Sequence, residues 1–167
     1  VDNLELGEST YAFEKMGVQV VREDNTTLTV FGKNGAAGLR EPNDVINCEN
    51  SGTTSRLLMG ILSGAPFFSV MTGDASLQTR PMKRVIEPLK LMGAAIQGRA
   101  ENSFLPIAIK GEKLHAISYN LPIASAQVKS ALLLAGIEAE GETTIIEPLP
   151  SRDHTERMLE YFGADIS

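Results

Sequence analysis

The chain has 167 residues, 43% of them hydrophobic, and a net charge of −6 from 15 basic and 21 acidic side chains. That content fills one domain, or one domain and part of a second, and excludes a disordered tail. The acidic balance argues against a general nucleic-acid surface, and no run reaches the ~20 apolar residues of a membrane span. Cys48 is the only cysteine, so no internal disulfide is available and a reducing, cytoplasmic setting is expected. The opening Val1-Asp-Asn-Leu-Glu5 lacks the basic and apolar regions of a signal peptide.

In chain order, the first element is a helix ending at Phe13-Glu-Lys-Met-Gly17, followed by the strand candidates Val18-Gln-Val20 and Thr27-Leu-Thr-Val-Phe31. A polar loop, Asn47-Cys-Glu-Asn-Ser-Gly-Thr-Thr-Ser-Arg56, then runs into a nearly all-apolar stretch over 54–63, the pattern of a buried helix. Phe67-Phe-Ser-Val-Met71 suits a strand. After the loop Gly73–Arg80, Met82, Val85, Ile86, Leu89 and Met92 follow helical spacing, while Lys83, Arg84, Glu87 and Lys90 point away. Pro81 fits the first position of that helix. Gly93 suits a left-handed helix end, and Ala94-Ala-Ile-Gln97 and the alternating Leu105-Pro-Ile-Ala-Ile109 suit strands. Ser125–Gly136 is a second buried helix, Thr143-Thr-Ile-Ile146 another strand, and Pro150–Phe162 a loop and helix ending at Gly163.

These elements repeat. Gly17, Gly93 and Gly163 end like stretches with a period of roughly 70 residues, longer than ordinary solenoid repeats. The unit reads strand–helix–strand–helix–strand–strand, which predicts an α/β (α+β) fold of repeated βαβαββ units around shared buried helices, sheets outside. The expected divisions are an incomplete first unit over 1–40, a second over 41–113 and a truncated third over 114–167. A repeat cut at both ends implies an internal piece of a longer protein.

Candidate chemistry sits in four loops at helix starts, where free N–H groups can hold an anion. Gly52 admits a ligand close to the backbone, and Thr53 and Thr54 add hydroxyls; a plain N-cap by Asn50, Ser51 or Thr53 explains the loop equally. Ser125 is either a cap or a ligand contact. Gln127 starts an otherwise apolar helix and needs a partner, whether ligand or backbone. Arg80 could grip carboxylate or phosphate bidentately, or pair with Asp74 at the surface. In the last loop Ser151 or Asp153 is a cap, and Arg152 either binds phosphate or is a solvated charge. His115 and His154 stand alone, and Cys48 reads as a buried structural thiol. No spacing suggests a metal, and no nucleotide fingerprint is present.

Four motifs in this order, Asn50-Ser-Gly-Thr-Thr-Ser-Arg56, Gly73-Asp-Ala-Ser-Leu77 with Arg80-Pro-Met-Lys-Arg-Val85, Ala124-Ser-Ala-Gln-Val-Lys129 through Gly136, and Ser151-Arg-Asp-His-Thr-Glu-Arg-Met158, resemble the 5-enolpyruvylshikimate-3-phosphate synthase family in its bacterial class II form. The resemblance covers essentially the whole chain. It implies a two-lobed enzyme of six βαβαββ units, three per lobe. It implies transfer of the enolpyruvyl group of phosphoenolpyruvate to the 5-hydroxyl of shikimate 3-phosphate with release of phosphate, through a tetrahedral intermediate and without metal or cofactor.

The same resemblance implies phosphoenolpyruvate contacts at Gly52, Arg80 and Gln127. It implies shikimate 3-phosphate contacts at Ser125, Ala126, Gln127, Ser151 and Arg152, with Thr53 a weaker candidate. Ala126 stands where other members carry Ser, so its contact would be through backbone. Glyphosate would occupy the phosphoenolpyruvate pocket and be crowded by a methyl group at Gly52. The family's early Lys-Ser-x-Ser-His-Arg segment would precede Val1, and the acid–base groups would come from the other lobe. No catalytic residue is assigned, and the chain alone is expected to be inactive. Its expected partners are the two substrates and the second lobe, with no nucleic acid, no membrane and a monomeric parent. The sister family that uses UDP-N-acetylglucosamine carries a reactive Cys in the loop where this chain has Asp74–Arg80, which holds none. A non-catalytic phosphate-ester binding module is the other alternative.

Overall fold

The computed structural model describes residues 3–167. Val1 and Asp2, on which part of the reading of the chain start rests, lie outside the described residues. Helix α1 (Asn3–Lys15) leads into the antiparallel pair β1 (Gln19–Arg22) and β2 (Leu28–Phe31). The middle unit is β3 (Ile46–Asn47), α2 (Gly52–Ser63), β4 (Phe68–Thr72), α3 (Lys83–Leu91), β5 (Ala95–Gly98), the single turn α4 (Arg99–Asn102) and β6 (Phe104–Lys110). The last stretch is β7 (Ser118–Asn120), α5 (Ala126–Ile137), β8 (Thr144–Ile146) and α6 (His154–Tyr161).

The repeat is visible in pairing as well as in order. β3 runs parallel to β4, as β7 does to β8; β5 pairs antiparallel with β6, as β1 does with β2. The middle unit closes these into one sheet, ordered β3-β4-β6-β5. Leu105, Ile107 and Ile109 alternate into the core from β6.

Each long outer helix ends by the same device. Gly17, Gly93 and Gly163 have φ of 82°, 97° and 88°. The residue after each glycine reaches back to a carbonyl five positions earlier: Val18 to Phe13, Ala94 to Leu89 and Ala164 to Leu159, the first two at 3.0 Å and the third at 2.9 Å. The glycine amides bond Glu14, Lys90 and Glu160. This double bond satisfies carbonyls that a helix end leaves free, and only a residue at ease with positive φ can close it. The expected left-handed glycines are therefore borne out in all three copies.

The amphipathic reading of α3 also holds: Met82, Val85, Ile86, Leu89 and Met92 are buried. Its start differs from expectation. Pro81 is not the first helical residue; Met82 takes the cap position and the helix begins at Lys83. The Met82 N–H bonds the Ser103 carbonyl at 2.8 Å, so the β5–β6 hairpin, not the proline, fixes where the helix begins.

That hairpin turns through three consecutive left-handed residues, Ala100, Glu101 and Asn102, with φ of 51°, 55° and 65°. Such a run costs roughly 1–2 kcal/mol per residue. Side chains hold it: Asn102 Oδ1 accepts the Gly98 N–H at 2.8 Å, Arg99 Nε reaches the Leu105 carbonyl at 2.9 Å, and Arg99 Nη2 reaches the Gln78 carbonyl at 2.8 Å.

Helices α2 and α5 form the centre of the core and run side by side in the same sense. At their closest approach a β-carbon on Gly60 would lie 2.1 Å from the Ala131 carbonyl oxygen, so only glycine fits. Ser51 caps α2 by accepting the Thr54 N–H at 3.1 Å, and Ser125 caps α5 by accepting the Val128 N–H at 3.4 Å. Phe13, Val30, Leu39, Ile61, Leu134 and Ile137 line an apolar groove of about 300 Å³.

Candidate functional site

The site grows from the first turns of α2 and α5, which lie side by side. Gly52, the first residue of α2, is buried; a β-carbon there would stand 2.8 Å from Arg56 Nη1 and 3.4 Å from Arg80 Nη1. Arg56 lies one turn further along α2. Its Nη1 donates to Gln127 Oε1 at 2.6 Å and its Nη2 to the Pro81 carbonyl at 3.2 Å. Gln127 Nε2 donates in turn to Thr53 Oγ1 at 3.0 Å. The amide that needed a partner thus finds two, both on α2.

Arg80 closes the cluster from the opposite side. Its Nη2 donates to Asn50 Oδ1 and, at 3.4 Å, to Ser76 Oγ. Asn50 Nδ2 donates to Asp74 Oδ2 at 2.6 Å. Arg80 therefore meets Asp74 through Asn50, and no direct ion pair joins them. The Asp74 carboxyl is held below its ordinary range, chiefly by the Asn50 hydrogen bond and then by the Leu77 N–H at 2.7 Å.

Neither Arg56 nor Arg80 forms an ion pair with a carboxylate among the described residues. Burial, followed by repulsion from Arg80 and Arg84, pushes the Arg56 pKa down from its ordinary value. Two guanidiniums gathered at a helix start, neither in a direct ion pair with a carboxylate among the described residues, form a site ready for an anion.

The second half of the site follows α5. Ser125 is its cap and Ala126 its first residue, both half-buried. Lys129, one turn on, is only 7% exposed, with its ammonium 2.8 Å from Glu147 Oε2 and 2.5 Å from Glu156 Oε1. Burial alone would push the Lys129 pKa down; its hydrogen bonds with Glu147 and Glu156 outweigh this and raise it. Burial likewise works to raise the Glu147 carboxyl, and the bonds from Lys129 and Ser151 bring it below its ordinary value. The Ser151 hydroxyl donates to Glu147 Oε1 at 2.5 Å. Asp153 holds the cap position of α6 without a side-chain capping bond, and Arg152 is exposed.

Gly52, Thr53, Arg80 and Gln127 are thus brought into one cluster. Ser125 and Ala126 adjoin Gln127 in the chain, while Ser151 is tied to α5 through Glu147 and Lys129. Sequence reasoning gave no role to Arg56, Lys129 or Glu147, and offered Asn50 only as a cap. The signal for two of them was available: a charge inside an otherwise apolar buried helix requires a partner. Among the described residues, no group of three His, Cys, Asp or Glu could hold a metal, and no helix is long and apolar enough to cross a membrane.

A family model described as EPSP synthase (3-phosphoshikimate 1-carboxyvinyltransferase) matches residues 6–167. The chain belongs to the EPSP synthase family. A 3-phosphoshikimate 1-carboxyvinyltransferase of Geotalea uraniireducens (strain Rf4) is 59% identical over 155 residues, 93% of this chain and 36% of the relative. One from Thermodesulfovibrio yellowstonii (strain ATCC 51303 / DSM 11347 / YP87) is 58% identical over 158 residues, 95% of this chain and 36% of the relative. The chain thus spans little more than a third of the length of these relatives. A 2.37 Å structure of EPSP synthase from Acinetobacter baumannii matches with a TM-score of 0.95 and 49% identity, covering 100% of this chain and 38% of that one. The likeness to a solved EPSP synthase bears out the mixed α/β class.

Proposed function

We propose that this chain supplies much of one substrate-binding lobe of an enzyme that transfers the enolpyruvyl group of phosphoenolpyruvate to the 5-hydroxyl of shikimate 3-phosphate. The hydroxyl oxygen adds to C2 of phosphoenolpyruvate, its proton passing to a base, as an acid protonates C3 to a methyl group. The tetrahedral adduct then loses phosphate from C2 and a proton from that methyl group, restoring the double bond. Chorismate and aromatic amino-acid biosynthesis would be its setting, in the cytoplasm, as a monomer. The repeat supports three units over 1–40, 41–113 and 114–167, joined to a second lobe.

The observation that carries the reading is the pair of guanidiniums, Arg56 and Arg80, around Gly52, with no carboxylate ion-paired to either among the described residues. Phosphoenolpyruvate carries a carboxylate and a phosphate, both suited to a guanidinium fork. Gly52, Arg80 and Gln127 are its proposed contacts. Ser125, the Ala126 backbone, Gln127, Ser151, Arg152 and Thr53 are proposed to face shikimate 3-phosphate. These groups bind and orient, and proton transfer is left to groups of the second lobe. The chain alone is therefore proposed to bind without releasing phosphate.

Arg80→Ala, made in a protein of the relatives' full length that contains this sequence, tests the reading. Losing a charge-assisted contact costs roughly 1.5–3 kcal/mol, about a 10- to 150-fold rise in the phosphoenolpyruvate KM, with a far smaller rise for shikimate 3-phosphate. An unchanged phosphoenolpyruvate KM would overturn the assignment.

A further inference from the structure

The Lys129 ammonium, among the described residues the most deeply buried charge outside the Arg56–Arg80 cluster, lies between two glutamates. Its side chain is 7% exposed, and those of Glu147 and Glu156 are 15% and 28%. One cation thus faces two carboxylates, and Glu156 Oε2 has no hydrogen-bond partner at all. For stability alone this is a poor bargain, since a buried ion pair often holds a fold no better than well-packed apolar side chains.

What the network does hold is position. Lys129 and Ser130 are neighbours on the first turns of α5. Lys129 grips Glu156 while the Ser130 hydroxyl bonds the Thr155 hydroxyl at 2.6 Å, so two adjacent residues of α5 fix two adjacent residues at the start of α6. The other arm of Lys129 reaches Glu147 at the end of β8, and Glu147 Oε1 takes the Ser151 hydroxyl. Both ends of the loop over 147–156 are therefore pinned to α5, one turn from Ser125. Between the two pins lie Ser151 and Arg152.

We propose that Lys129 is a positioning residue for the phosphate of shikimate 3-phosphate. It acts through Glu147 and Glu156 to hold the Ser151–Arg152 loop at a fixed distance from the start of α5. The same cation offsets the Glu147 charge, which would otherwise stand one hydrogen bond from Ser151 and repel an incoming dianion. The inference rests on the proposed function, and in particular on Ser151 and Arg152 facing that phosphate. The Lys129 ammonium bonds Glu147 and Glu156 and neither Gly52 nor Arg80, so its influence falls on one substrate and not on the other.

The experiment compares Lys129→Met, Lys129→Arg and the double variant Lys129→Met/Glu147→Gln with the unsubstituted sequence, each in a protein of the relatives' full length. Steady-state constants are measured for both substrates alongside the melting temperature. Lys129→Met is expected to raise the shikimate 3-phosphate KM at least tenfold and to leave the phosphoenolpyruvate KM within about threefold. Lys129→Arg, which keeps the charge, should recover most of that loss. The double variant, which removes the one of the two uncovered carboxylates that bonds Ser151, should recover part of it. A residue that only braces the fold would lower the melting temperature and move both KM values together, and that result overturns the inference. So does an unchanged shikimate 3-phosphate KM. Should Lys129→Met fail to fold, Thr155→Val loosens the same junction without uncovering a charge. It is expected to raise the shikimate 3-phosphate KM about threefold, and an unchanged value overturns the inference. If the unsubstituted protein shows no saturation by shikimate 3-phosphate, the functional reading and this inference fall together. If it saturates and the variants behave like it, only the inference falls.

Discussion

Arg56 Nη1 and Gln127 Oε1 meet at 2.6 Å across 71 positions of chain, joining the two buried helices at the end where a ligand would enter. The same guanidinium reaches the Pro81 carbonyl, so α2, α5 and the loop carrying Arg80 share one cationic clasp. Arg56→Lys keeps the charge but not the fork, since an ammonium on a flexible stem cannot span both acceptors in one plane. The expected outcome is a rise of about tenfold in both substrate KM values, with kcat falling less. Steady-state kinetics in a full-length protein check it, and a silent substitution would show that charge alone is needed at this point.

Gly52 is crowded by two guanidiniums, and an added methyl group would displace the end of Arg56 from 2.8 Å. A flexible side-chain end can yield, so Gly52→Ala should fold. The methyl group would occupy space on the side of the cluster proposed to hold phosphoenolpyruvate. Glyphosate, proposed to share that pocket and to be crowded at Gly52, should lose more affinity than phosphoenolpyruvate does. The ratio of the glyphosate inhibition constant to the phosphoenolpyruvate KM is expected to rise at least tenfold; a constant ratio would remove Gly52 from the pocket.

Gly60→Ala is a contrasting case. There the obstacle is the Ala131 main-chain carbonyl, which cannot rotate away. Overpacking of this kind costs typically about 1–3 kcal/mol. The urea midpoint should fall accordingly, and both KM values should rise together because the two helix starts move apart. An unaltered midpoint would mean that the helices already stand further apart than described.

The buried network sets a pH dependence with two limbs. Glu147 has a folded pKa below its ordinary 4.5, so its contribution is present above that value and is lost as pH falls through the folded one. Lys129 has a folded pKa above its ordinary 10.5, so its contribution is complete below that value and is lost as pH rises through the folded one. Neutral pH lies on the plateau between. Lys129→Met should therefore destabilise most on that plateau, where it leaves Glu147 buried and charged without its partner, and less as pH falls through the folded Glu147 value. Melting temperatures across that range check the sign, and a difference that grows toward acid would contradict it.

The elements that could be read from sequence are those made by local chemistry. A glycine after an amphipathic stretch forces a left-handed close whatever surrounds it, and Gly17, Gly93 and Gly163 all make it. The buried character of α2 and α5 was legible because apolar residues leave no solvent face. Pro81 was misplaced because the start of α3 is decided by Ser103, a residue on another element. Lys129 escaped for a related reason: its partners Glu147 and Glu156 lie beyond the helix, on a strand end and another helix. Local sequence said that Gln127 needs a partner but could not say that Arg56 and Thr53 supply it. The left-handed turn at Ala100–Asn102 had little signal, since none of its residues is glycine and only Asn102 is of a type that favours that conformation.

The contact of Gly60 with Ala131 has one more implication. Where side chains separate two helices, the spacing breathes as rotamers hop, and neighbouring ligand contacts blur with it. Here main chain rests on main chain, and nothing between them can rearrange. The gauge between Gly52 and Gln127 is then a fixed thickness of backbone, so the jaw proposed to receive two anions keeps its width as temperature changes. Drift at this site has to come from the loops that carry Arg80 and Ser151.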